Sequence, residues 1–561
     1  MDHLTRSLSL IRDAMHIVLP GSQIAVWPSV FTYSVATVVI STVAAYCLYH
    51  VCRGCSKTET NYKLPWYMLL ELAITTTILQ SGIVITRPII SLLHRNGFLH
   101  GLTSRHQILY QVHNADSVLA RPHHLVNPDP IALALFPKFF GVSLSPELRN
   151  DFTAFYKALT TTLERGFVNE TASTVAIHEA NLPRRIFSLL SFSEDPKNQH
   201  GWERNANVKI HPDCVEADLA AILKDFGGHV SIPMLYGQDF LERNPTLLDD
   251  FWLFDAFALP FKALGIPEWV PIRPYQNALA ARRRLQDALI GLYRRIDQYE
   301  NGTSIDYDAK MDDIGQVAIE RHRLFAQYNI PISVRGKFEL GTLWAQNANT
   351  QPLILWFILF VYSTPGLVDE LRSEVCGFVP PVTGSNRTDS DSIDLAGLRN
   401  KCPLLKSVFL ETLRVVNQPT SMRYISQPMS MFDGQHHRHL QAGTWISVPH
   451  AGTQQDPSVF VNPTSFQPCR FIKRDEETGN ASVGYGRLKP WGVGAGICKG
   501  RVLAEKQVLA TVACCIMMWD IEPVNEDGWK LPGMIPTTAV MRPSHGVRVR
   551  MKHRSEGTQS M

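Results

Sequence analysis

Residues 491–500 read WGVGAGICKG and run straight into RVLAEKQVLATVACCIMMW, a stretch with helical character. A single cysteine, Cys498, therefore sits in a glycine-rich loop just ahead of a helix start. Backbone N–H groups and the positive end of that helix point toward the sulfur and favour its thiolate. Gly492, Gly494 and Gly496 let the backbone pass close beneath a flat ligand. A thiolate so placed is a nucleophile or a metal ligand, and with no partner base nearby in the sequence ligation is the better reading. Taken alone, such a loop reads as a structural turn, so the decision rests on its neighbours.

Working outward, three segments matter. From Leu340 to Val368 no charged residue occurs, yet the middle reads WAQNANTQP, residues 344–352. Unpaired amides are expensive in lipid, so this stretch predicts a helix through a protein core rather than a membrane span. Glu411-Thr-Leu-Arg414 lies in the apolar helix LLKSVFLETLRVV. The pattern is weak by itself, and Glu320-Arg-His-Arg323 carries it by chance. Pro468-Cys-Arg470-Phe471 follows before the cysteine loop.

In this order the segments resemble the cytochrome P-450 family. Its haem signature, aromatic-x-x-Gly-x-x-x-Cys-x-Gly, is filled by Trp491, Gly494, Cys498 and Gly500, with tryptophan where phenylalanine is usual. Glu411 and Arg414 resemble the Glu-x-x-Arg of the family's K helix, and Arg470 would complete a buried Glu-Arg-Arg triad. Such a triad fixes one arrangement of chain better than it stabilises. By the same resemblance Arg423 falls where an arginine pairs with a haem propionate. Thr350 is similar to the hydroxyl that relays protons during oxygen activation, with Asn349 where an acid usually precedes it. The form of this segment is similar to the bile-acid hydroxylase and prostacyclin-synthase branch and to fungal secondary-metabolism members.

The resemblance implies a mainly α (α+β) cytochrome P-450 fold, a large helical domain with small β-sheets. It implies haem b (heme) with its iron held axially by Cys498. The implied activity is a monooxygenase oxidising a lipophilic small molecule, such as a terpenoid, steroid, polyketide or other secondary metabolite. Electrons would come from a separate NADPH–haemoprotein reductase, with cytochrome b5 as a further candidate partner, because the chain shows no Rossmann fingerprint or flavin segment. Two other readings are an isomerase or dehydratase acting on a peroxide, which needs no Thr350, and a haem-binding carrier or sensor without turnover. The chain departs from the pattern at Asn349, which lacks the carboxylate, and at Gly496, where many members have a basic residue. It also lacks the Pro-rich hinge after the anchor, with 64–94 in its place.

Composition bounds the rest. The chain has 561 residues, 45% of them hydrophobic, with a net charge of +3, which excludes a disordered or collagen-like chain. Charges of both signs are interspersed, so no nucleic-acid partner is expected. Ten cysteines are too sparse for a disulfide scaffold, and Cys52-x-x-Cys55 has no second pair at zinc spacing. No charged residue stands between Asp13 and Arg53, and Val30–Val51 matches the roughly 20 residues a membrane crossing needs. Arg53, Lys57 and Lys63 follow it, placing the downstream side in the cytosol. The expected organisation is an N-terminal segment at 1–29, a transmembrane anchor at 30–52, a linker or membrane-associated segment at 53–100, a haem-thiolate catalytic domain at 101–551 and a polar tail at 552–561. That describes a single-pass protein of the endoplasmic reticulum membrane with its catalytic domain in the cytosol, where the sequons at Asn169, Asn301, Asn386 and Asn480 have no use.

Helical periodicity dominates after residue 140. Phe152, Phe155, Tyr156, Leu159 and Leu163 share one face, as do Leu285, Leu289, Leu292 and Ile296. Arg282, Arg283, Arg284, Arg294 and Arg295 occupy the second helix's other positions and read as a solvated face. Strand-like runs occur at Trp445–Val448 and Val547–Met551. Substrate-facing segments are expected within 105–145, within 225–270 and after Arg414.

Overall fold

The structure, a computed structural model, describes residues 98–100, 105–109, 114–304, 310–380, 392–432, 437–537 and 539–554. The expected anchor at 30–52 and the apolar stretch 64–94 lie outside the described residues. Among the described residues no single helix is long and apolar enough to cross a membrane.

The strands that frame the site are β1 (Phe98–His100), β2 (His106–Leu109), β3 (Val126–Asn127), β4 (Lys209–Ile210), β5 (Val215–Asp218), β6 (Thr420–Ile425), β7 (Thr444–Pro449), β8 (Trp519–Pro523) and β9 (Arg548–His553). The first sheet runs β1-β2-β7-β6-β3, with β2 parallel to β7 and the other neighbours antiparallel. β6 alternates strictly, so Ser421, Arg423 and Ile425 are buried while their neighbours are partly exposed. Arg423 is thus carried inward by the strand's two-residue period. The second sheet, β8-β9-β5-β4, joins the chain's end to its middle.

Two boundaries differ from expectation. Phe98–His100, assigned to the linker, pairs with β2 and belongs to the first sheet. Lys552 and His553, assigned to the tail, pair with Asp520 and Trp519 and complete β9.

The helices used below are α1 (Asp129–Phe140), α2 (Phe152–Leu163), α3 (Glu170–Glu179), α4 (Leu219–Ser231), α5 (Arg273–Glu300), α6 (Ile332–Asn347), α7 (Thr350–Ser363), α8 (Pro403–Val416) and α9 (Arg501–Met518). On α5 the apolar face is buried as the periodicity predicts, but Arg282 is buried too, with its Nη2 3.1 Å from both carboxylate oxygens of Glu268. Arg284 donates to Asp250 from Nε at 2.9 Å, so the arginine face is only partly solvated.

The uncharged run forms the second part of a central rod. Every residue of α7 from Thr350 to Val361 is buried, and the helix packs against α4, α8 and α9. A helix apolar all round belongs in a core. The rod is interrupted at Ala348 and Asn349, between α6 and α7. Pro352 explains the break: it offers no N–H to the carbonyl of Ala348, four residues back, and its ring crowds that oxygen. The first half of the rod is fixed by Glu339, fully buried, which accepts from Tyr236 and Tyr293 hydroxyls at 2.8 and 2.9 Å and pairs with Arg321 at 2.8 Å. The chance motif at 320–323 makes no internal pair, since Glu320 meets Arg165 and Arg323 meets Glu300.

Candidate active site

The cysteine loop is shaped by backbone. Gly492 and Gly494 adopt φ of +74° and +67°, a region that favours glycine. The loop closes on itself where Cys498 N–H donates to the Trp491 carbonyl at 2.8 Å and Ile497 N–H to that of Gly494 at 3.0 Å. At Gly494 a Cβ would stand 2.5 Å from the carbonyl oxygen of Leu119, on the short helix Ala115–Leu119. Gly494→Ala is therefore expected to cost about 1–3 kcal/mol from φ alone, with the clash added. Denaturant unfolding of the two proteins checks this; equal midpoints would contradict it.

Gly496 meets a side chain instead. A Cβ there would stand 2.7 Å from Nη2 and 2.9 Å from Nη1 of Arg423. The position that lacks the basic residue many members carry is where the guanidinium of β6 lies. Arg423 is 4% exposed and donates to the carbonyls of Met422 at 2.8 Å and Val493 at 2.7 Å. Its Nε is buried with no hydrogen-bond partner, and among the described residues no carboxylate comes within ion-pair distance. Burial lowers its pKa to about 10, against smaller raising effects from Asp129 and Tyr156.

Cys498 is exposed by area, although protein surrounds it so densely that burial pushes its thiol pKa up. The two observations agree if the sulfur lies deep and faces open space. Gly500 N–H, 3.4 Å from Sγ, and the charges of Arg501 and Lys499 act the other way but do not win. The Gly500 N–H thus favours the thiolate as the loop predicts, while desolvation of the charged sulfur opposes it more strongly.

Trp491 is half-buried, and its Nε1 donates to the Tyr485 hydroxyl at 3.1 Å. Gly500 precedes α9 as its cap residue. Glu411 and Arg414 on α8 are fully buried and paired through two contacts of 2.7 and 2.8 Å. Arg470 reaches the same carboxylate with Nε at 3.0 and 2.9 Å. The arginines' remaining N–H groups go to the carbonyls of Gln454, Val461, Asn462, Pro463 and Ser465.

Thr350 is buried at the start of α7, and its hydroxyl makes no hydrogen bond among the described residues. Asn349 is not joined to it: its Oδ1 accepts from the Val540 N–H at 3.4 Å. Val540 in turn bridges Asn417, whose Nδ2 donates to the Pro490 carbonyl at 2.9 Å, next to Trp491. This strap between the broken rod and the cysteine loop has no motif in the sequence; Asn417, just after the α8 pattern ends, is its only hint.

The comparisons with known proteins bear on this arrangement. The cytochrome P450 family model matches residues 342–550, which contain the rod's break, the triad, Arg423 and the cysteine loop. Over residues 342–550 the chain is similar to the cytochrome P450 family. It is 31% identical over 336 residues to a cytochrome P450 monooxygenase of Penicillium oxalicum, covering 58% of this chain and 63% of that one. It is 27% identical over 264 residues to human 7-alpha-hydroxycholest-4-en-3-one 12-alpha-hydroxylase, covering 44% and 51%. The matched region thus spans between half and two thirds of these curated relatives. Among solved structures, retinoic acid-bound cyanobacterial CYP120A1 shares the fold, with a TM-score of 0.60 over 88% of this chain and 98% of that one, at 15% identity.

The group that cytochromes P450 hold is haem, and the residues present fit it. Cys498 offers an exposed sulfur whose thiolate the nearby charges favour but burial opposes. Arg423 offers a buried donor that lacks an anion, as a propionate would require. Gly492 and Gly494 keep side chains off the loop between them.

Proposed function

We propose that this chain is a monooxygenase oxidising a lipophilic, ring-containing small molecule with dioxygen and NADPH-derived electrons. The unpaired guanidinium of Arg423 beside the Cys498 loop carries the reading. Haem bound there supplies oxygen activation and its transfer into a C–H bond of the substrate. Cys498 would hold the iron, Arg423 a propionate, and Trp491 would shield the sulfur edge. Thr350, with no competing hydrogen bond, would take a proton from water and pass it on at Oγ1. Asn349 would hold the break in place through Val540 rather than serve as an acid.

A lipophilic substrate is supported by the name of the human relative, a hydroxylase of 7-alpha-hydroxycholest-4-en-3-one. The electron donor would be a separate membrane-bound NADPH–haemoprotein reductase, with the chain anchored at the endoplasmic reticulum through 30–52.

The reading is tested by the carbon-monoxide difference spectrum of the reduced protein, followed by NADPH consumption with added reductase. A thiolate-type red-shifted band and reductase-dependent product support it; turnover of a peroxide without reductase would favour an isomerase. Thr350→Ala should keep the band while product per NADPH falls about a hundredfold, the low side of what proton transfer by a placed group contributes. Full coupling in that variant removes Thr350 from the relay.

A further inference from the structure

Tryptophan at 491 brings an N–H that phenylalanine lacks, and a half-buried indole N–H must find an acceptor. It finds the hydroxyl of Tyr485, whose own proton goes to Glu505 Oε2 at 2.8 Å. Glu505 lies on α9 two turns beyond Cys498 and is 3% exposed. Its other oxygen accepts from Arg399 Nε at 2.8 Å and from Lys406 Nζ on α8. Arg399 also meets Glu170, the first residue of α3. The carboxylate only accepts, so the hydroxyl must donate to it and can receive only from the indole. Burial and the charge of Glu505 push the Tyr485 hydroxyl far above its ordinary pKa, so it stays a donor throughout the physiological range.

We infer that Tyr485 is a positioning residue for the cysteine loop, locking the indole of Trp491 against a carboxylate fixed by Arg399 and Lys406. The Trp491 carbonyl receives the Cys498 N–H, so the ring's orientation and the sulfur's frame move together. The partnership depends on tryptophan at 491; with phenylalanine there, Tyr485 would have nothing to receive. The inference rests on the haem-thiolate reading above.

The experiment compares wild type, Tyr485→Phe, Trp491→Phe and the double variant as full chains loaded with haem. Two readouts are followed: the rate at which the reduced carbon-monoxide complex loses its thiolate-type band, and the iron–sulfur stretch in resonance Raman. Tyr485→Phe alone should raise the rate about fivefold or more, the low end for an orphaned buried donor, and shift the stretch. In the Trp491→Phe background the same change should add less than about twofold, the scatter of independent sites. A silent Tyr485→Phe, or an equal effect in both backgrounds, overturns the inference while leaving the haem reading intact. A wild type without the thiolate band overturns both. Should Tyr485→Phe take up no haem, uptake by the double variant supports the inference and failure of both overturns it.

Discussion

Replacing Cys498 by alanine is expected to abolish the thiolate-type band of the reduced carbon-monoxide complex and to bring NADPH-dependent product to background. Among the described residues no neighbouring sulfur can substitute. Cys514 and Cys515 are buried within α9, and the other exposed thiols among the described residues, Cys376 and Cys469, lie in other segments. Burial pushes the Cys498 thiol pKa up, so the loop by itself favours the neutral thiol. The variant should therefore be as stable as the parent without haem and differ only when haem is offered. Cys376→Ser is the control and should retain the band. A Cys498→Ala protein that kept it would remove the sulfur from the proposed role.

Glu411→Ala should be the most damaging change outside the loop. Its carboxylate compensates two buried guanidinium groups, and breaking a buried pair by removing one partner costs about 3–5 kcal/mol. A domain has only about 5–15 kcal/mol in total. The loss also frees the chain at 454–470, because Arg414 and Arg470 hold its carbonyls and Glu411 itself accepts from the Gln467 N–H at 2.9 Å. Little folded, haem-loaded protein is expected, read as the ratio of thiolate-type band to total protein. Glu411→Gln should fall between, keeping acceptors but leaving two cations uncompensated. Wild-type loading in Glu411→Ala would show that Arg414 and Arg470 find other anions.

What is legible in the sequence is what a strict local constraint imposes. Gly494 must be glycine because of its φ and the Leu119 carbonyl, and Glu411 and Arg414 share a helix face three residues apart. At Cys498 spacing reveals the helix end that favours the thiolate but not the dense surroundings that oppose it. The interruption of the rod is present as Pro352, yet its place depends on the carbonyl four residues earlier. Arg282 looks solvated because its fixing carboxylate, Glu268, belongs to a loop with no periodic signal. Tyr485 and Glu505 escape notice for a similar reason: their link to Trp491 spans a loop and a helix.

The close approach of Gly496 and Arg423 constrains how this chain can change. Any side chain at 496 must displace the guanidinium that lies over it, while removing Arg423 takes away a buried cation and leaves those of Lys499 and Arg501 near the sulfur. A library that diversifies 496 alone should therefore recover mostly glycine.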